Sequence, residues 1–150
     1  WNVIVIGEGE GEEDLRRLVR SLDLERRVMF AGPQPREKVL EVLERRPIFV
    51  SLSLRDSGGM ALLEAASAGC PVVFLGVGGP QQLMGSLPGG VVRVGRESEV
   101  VEATAIAIEQ FMTDSALAAR LGEEARVVVQ QHDWSRKRDA LMWLYGDCDE

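Results

Sequence analysis

The chain opens on Val3-Ile4-Val5-Ile6, an unbroken β-branched run closed by Gly7. Such a run predicts a strand buried on both faces, as in a parallel sheet. The period then lengthens. Over Glu12–Ser21 the apolar residues Leu15, Leu18 and Val19 recur at helical spacing, and Glu12, Glu13 and Asp14 fill a first turn, where acids complement the helix dipole. The same alternation continues along the chain. Val28–Phe30 reads as a strand stopped by Ala31-Gly32-Pro33, and Arg36–Arg45 as a helix with Val39, Leu40 and Leu43 inward. Ile48–Leu52 is a third strand, Gly59–Ala68 a short helix ended by Gly69, and Pro71–Leu75 and Val91–Val94 two further strands. From Glu97 the pattern is helical almost to the end, with breaks near Asp114 and at Asp133-Trp134. Strands alternating with helices predict an α/β, Rossmann-like parallel sheet with helices on both faces. Ligands of such sheets sit beyond the carboxyl ends of the strands, so the loops after each strand carry the chemistry.

Composition narrows the classes. The 150 residues suit a single domain, and the net charge of −7 argues against a nucleic-acid grip built on a basic face. No apolar run approaches the ~20 residues needed to span a bilayer. Two cysteines, Cys70 and Cys148, are too few for a disulfide scaffold; the expected setting is reducing and cytoplasmic. Cys70 directly follows a helix-ending glycine and reads as a packed small hydrophobe. No metal-ligand cluster is visible. His132, the sole histidine, lies beside Trp134 with no nucleophile near it in sequence and reads as structural. Trp134, Trp143 and Tyr145 read as packing or docking residues.

Gly7-Glu8-Gly9-Glu10-Gly11 lies between a strand and a helix, but its spacing is not the dinucleotide fingerprint. Glu8, Glu10, Glu12 and Glu13 would also face a pyrophosphate that needs bare amides and positive charge. The segment from Ser51 to Val73 is more informative. Asp56 and Ser57 are N-cap residue types, and Gly58-Gly59 allows close backbone approach to a ligand. The first turn that follows has no acid, which leaves its amides suited to an anion. Glu64 is the only charged residue in Met60–Gly69. Two readings of it stand side by side: a glutamate reaching solvent at the helix edge, or a carboxylate accepting two neighbouring hydroxyls, as a ribose would offer.

Taken together, an acidic residue, a glutamate eight positions on, a small-residue helix and Gly69-Cys70-Pro71-Val72-Val73 resemble glycosyltransferase family 4. The Asp56-Ser57-Gly58-Gly59 variant resembles one subgroup of that family. The likeness covers nearly the whole chain. Val3-Ile4-Val5-Ile6-Gly7-Glu8-Gly9, Val28-Met29-Phe30-Ala31-Gly32, a Gly78-Gly79-Pro80 turn, Gln131-His132-Asp133-Trp134-Ser135 and Leu144-Tyr145 all fall in the family's order. The resemblance implies the carboxyl-terminal, donor-binding half of a GT-B fold in a retaining enzyme. Such an enzyme moves a hexose-type sugar from a nucleoside-diphosphate sugar to a glycan or lipid-linked acceptor, as in polysaccharide biosynthesis.

Carried over residue by residue, Glu64 accepts the ribose hydroxyls, and Asp56, the first acidic position and the catalytic residue of the set, lies by the donor sugar and diphosphate. Ser57 and the amides around Gly58, Gly59 and Met60 meet the phosphates, and Ala31, Gly32 and Pro33 line the base. No metal or other cofactor is implied beyond the donor itself. The implied partners are the nucleotide sugar and an amino-terminal acceptor domain of the same protein; peripheral membrane association of the full-length enzyme is compatible with this, and nucleic acid is not expected. The family's basic pair on the diphosphate, its first strand–helix unit and its acceptor domain are expected upstream of Trp1. The chain alone is therefore expected to bind donor weakly and to be inactive. Pro47, Leu52 and Gln82 stand where the family has Asp, Pro and Glu. These departures support the competing reading, a non-catalytic Rossmann-like interaction module. A phospho-acceptor receiver domain is excluded, because Ser51-Leu52-Ser53 occupies the place of its acceptor aspartate.

Overall fold

A computed structural model describes the chain except residues 56–57, 86, 88–89, 132–137, 139–140 and 143–150. It divides into two compact units, Trp1–Val42 and Leu43–Glu150.

The first unit holds β1 (Val3–Ile6), α1 (Glu12–Ser21), β2 (Val28–Gly32) and nearly all of α2 (Arg36–Leu43). β1 and β2 pair in parallel, Val3 beside Val28 and Val5 beside Phe30, with a register shift between Val5 and Ile6. The elements fall where the hydrophobic pattern predicts them. The expected two-sided burial of β1 is not found: Val3 and Ile4 are 43% and 46% exposed. β1 is one strand of a two-stranded sheet, and a parallel strand becomes buried on both faces only where neighbouring strands and helices cover it. α1 has a related pattern. Its leucines Leu15 and Leu18 are exposed, while the Arg16 guanidinium lies 4.4 Å from the centre of the Phe30 ring and pairs with Glu12 at 2.7 Å. The arginine stem covers an aromatic face while its charge is neutralised one turn away.

The second unit carries β3 (Phe49–Ser51), α3 (Met60–Ser67), β4 (Val72–Leu75), α4 (Gly78–Met84), β5 (Val91–Val92), α5 (Glu97–Thr113) and α6 (Ser115–Gln130). Its sheet is parallel in the order β3-β4-β5. β4 is the central strand, and all four of its residues are buried. Val73 and Leu75 pack with Val92, Phe111 of α5 and Leu121 of α6. Val72 and Phe74 point to the opposite face and are equally buried. The α/β Rossmann-like class read from the pattern is the class found.

The predicted break at Asp114 is a helix junction, where the Asp114 carboxylate accepts the Leu117 amide at 2.8 Å and opens α6. The residues from Gly78 to Pro80, read as a turn, instead begin α4. Gly78 takes φ +62 immediately after the extended Val77, so the sharp change of direction and the helix start share the same residues. The break at 133–134 lies outside the described residues.

Candidate functional site

In the second unit, the loop leaving the carboxyl end of β3 leads into α3. Gly59 occupies the N-cap in the left-handed region, φ +58 and ψ +32, where a side chain is strained. It is also buried against the start of α4, since a Cβ here would come within 3.3 Å of Pro80 Cγ and 3.8 Å of Leu62 Cβ. Gly59 is therefore favoured by its backbone conformation, and a side chain here would also crowd the ring of Pro80. The loop after β3 and the start of α4 after β4 are thus packed together at one end of the parallel sheet.

The first bond of α3 runs from the Leu63 amide to the Gly59 carbonyl, 2.8 Å. The amides of Met60, Ala61 and Leu62 come before it, in the stretch of a helix that has no intrahelical acceptor. No acidic residue lies in this first turn. Met60 is 64% exposed, whereas Leu62, Ala65 and Ala66 are buried and hold the helix to its unit. Glu64 is half-buried and sits one turn after Met60, so the two share a helix face. Met60 and Glu64 thus lie on one face of α3, with Gly58 and Gly59 at its amino end. Asp56 and Ser57, read as capping and site residues, lie outside the described residues, as do His132, Trp134, Trp143, Tyr145 and Cys148.

Ala31, Gly32 and Pro33 lie in the first unit, at the carboxyl end of β2. Gly7, at φ +126, donates its amide to the carbonyl of Gly32, at φ +65, over 2.9 Å. The loops that end β1 and β2 are thereby tied to each other. Gln34, which carried no assignment from the sequence, donates from Nε2 to the Ala31 carbonyl at 2.6 Å. Its position between Pro33 and Pro35 was the available signal, because two prolines leave a rigid loop with few main-chain donors.

Gln82 is exposed on α4, two residues past Pro80. Cys70 is fully buried and its thiol bonds to the Leu43 carbonyl at 3.4 Å. Burial pushes its pKa up to about 11, against a smaller lowering by Arg46; it is a packed residue, as its position suggested. Among the described residues no group of His, Cys, Asp and Glu is arranged to hold a metal ion. No described helix is long and apolar enough to cross a membrane.

Residues 1–128 match the family model described as glycosyl transferases group 1. The chain is 28% identical, over 95% of its length, to D-inositol 3-phosphate glycosyltransferase of Corynebacterium aurimucosum, of which it covers 33%. It is 34% identical, over 93% of its length, to the lipopolysaccharide core biosynthesis glycosyltransferase LpsE of Rhizobium meliloti, of which it covers 40%. In structure it resembles a mutant of S. aureus TarM crystallised with Fondaparinux, alpha-GlcNAc-glycerol and UDP. The TM-score is 0.78 at 23% identity, covering 95% of this chain and 28% of that one. The chain thus spans between a third and two fifths of the length of these two curated relatives.

Proposed function

The chain belongs to the glycosyl transferases group 1 family, and on that premise we propose that it is the donor-binding part of a retaining, family 4 glycosyltransferase of the Asp-Ser-Gly-Gly subgroup. In this reading it holds a nucleoside-diphosphate sugar while a hexose-type group passes to a glycan or lipid-linked acceptor bound by a further domain of the same protein. The UDP held by the similar TarM structure supports a uridine-type donor. The reading needs no metal. It places the enzyme in the cytoplasm, with peripheral contact to the membrane where a lipid-linked acceptor resides.

The observation that carries the proposal is the opening of α3. A left-handed glycine at the N-cap, pinned by Pro80, exposes a turn without acids, and Glu64 follows on the same helix. Sugar transfer leaves negative charge on the departing diphosphate, and preorganised amides stabilise developing charge without reorganisation. A helix N-terminus contributes about 0.3–2 kcal/mol to holding an anion. Glu64 then accepts the ribose hydroxyls, Asp56 stands by the donor sugar, Ser57, Gly58, Gly59 and Met60 face the phosphates, and Ala31, Gly32 and Pro33 line the base.

The test is Glu64→Ala in the whole protein, assayed for transfer from UDP-sugars. The expected result is a loss of two orders of magnitude or more, since a bidentate charge-assisted contact is removed. An unchanged rate would overturn the donor-site reading and leave the non-catalytic interaction module.

A further inference from the structure

The loop that follows β2 is built to hold one side chain still. Pro33 and Pro35 flank Gln34 and have no amide hydrogen, so the main chain over these three positions offers a single N–H, that of Gln34. The loop is anchored at both ends. Gly32 accepts the Gly7 amide at 2.9 Å, and the Pro35 carbonyl accepts the Lys38 and Val39 amides that begin α2, at 3.0 and 3.2 Å. Between these anchors Gln34 Nε2 donates to the Ala31 carbonyl at 2.6 Å, with the side chain exposed. A carbonyl takes a hydrogen bond only from the nitrogen end of a carboxamide, so this contact fixes which way the amide faces. One Nε2–H is used. The second Nε2–H and Oε1 make no further bond among the described residues.

Resting on the reading of Ala31, Gly32 and Pro33 as the wall of the nucleobase site, we propose that Gln34 determines the base specificity of the donor by pairing its fixed carboxamide with the imide edge of uracil. Oε1 accepts the uracil N3–H, and the remaining Nε2–H donates to the adjacent carbonyl. Cytosine presents the reverse pattern on that edge, an acceptor at N3 and a donor at N4. An unrestrained carboxamide would turn over to match it. Here the turn breaks the bond to Ala31, and a wrong donor–acceptor match at a bidentate contact discriminates strongly.

The experiment uses the whole protein and measures its affinity for UDP and CDP by calorimetry, with the amide spectrum as a check on the fold. The native protein is expected to bind UDP about fivefold more tightly than CDP, the lower end of the range for one bidentate pair. Gln34→Ala should bring the two affinities within about twofold, with the spectrum otherwise native. Gln34→Glu puts an acceptor where Nε2 donates and should weaken UDP more than CDP. A preference for UDP that persists undiminished in Gln34→Ala overturns the assignment of Gln34 and leaves the donor-site reading standing. Failure of the whole protein to bind either nucleotide at millimolar concentration overturns both.

Discussion

Cys70 lies at the turn from α3 into β4, wholly buried, its thiol held to the Leu43 carbonyl. Desolvation moves its pKa from 9.0 to about 11, so the thiolate at pH 8 is about one part in a thousand. Iodoacetamide at pH 8 should leave Cys70 unmodified in the folded chain and label it fully in urea, as read by peptide mass spectrometry; rapid labelling of the native chain would refute the burial argument. The linkage to stability has a definite sign. The native state keeps its proton to about pH 11, while the unfolded state loses it near pH 9.0. Stability from this residue is complete below pH 9 and declines as pH rises toward 11. The inert role of Cys70 was legible in the sequence from the preceding glycine and the apolar strand behind it. For Gln34 the two flanking prolines signalled only a stiff loop; the carbonyl that its carboxamide reaches was not readable from the sequence.

α6 shows the same division at the scale of an element. Its start was legible, since Asp114 interrupts the helical period and its carboxylate caps the Leu117 amide. Its close approach to the α3–β4 turn was not. A Cβ on Gly122 would be driven into the carbonyl oxygen of Gly69, and nothing in the local pattern distinguishes this glycine from one that merely weakens a helix. The two possibilities predict opposite signs. On propensity alone, Gly122→Ala stabilises a helix by about 1 kcal/mol. Overpacking against backbone, which no rotamer relieves, costs about 1–3 kcal/mol. Urea unfolding should therefore show Gly122→Ala lowering the midpoint, while Asp114→Ala also lowers it, through the loss of about 1 kcal/mol of capping stability. A raised midpoint for Gly122→Ala would refute the packing of α6 on that turn. α4 escaped prediction for a related reason: Gly78-Gly79-Pro80 has the composition of a turn, and only the burial of Pro80 and Met84 makes it a helix.

Across the whole chain, the alternation of strand and helix was readable from periodicity, but the division into two units was not. Periodicity reports how one element divides its faces, whereas burial depends on what covers them. The fully buried core residues all belong to Leu43–Glu150, and no described residue of Trp1–Val42 is fully buried. Opening free energy follows buried apolar contact, so hydrogen exchange should be faster in β1 and β2 than in β4 by orders of magnitude; equal protection would contradict this ordering. On the proposed reading, the same scale bounds what the chain does with a donor. Micromolar affinity requires about 8 kcal/mol, of which the opening of α3 contributes about 2 at most. The diphosphate also meets a chain with a net charge of −7, which raises the cost of bringing a second anion near it. Calorimetry of the 150-residue chain with UDP-sugars should therefore give a Kd weaker than micromolar and no transfer to added acceptor. Micromolar or tighter binding would mean that the residues between Trp1 and Glu150 neutralise the diphosphate by a contact other than the helix end, and it would refute the requirement for a basic clamp elsewhere in the protein.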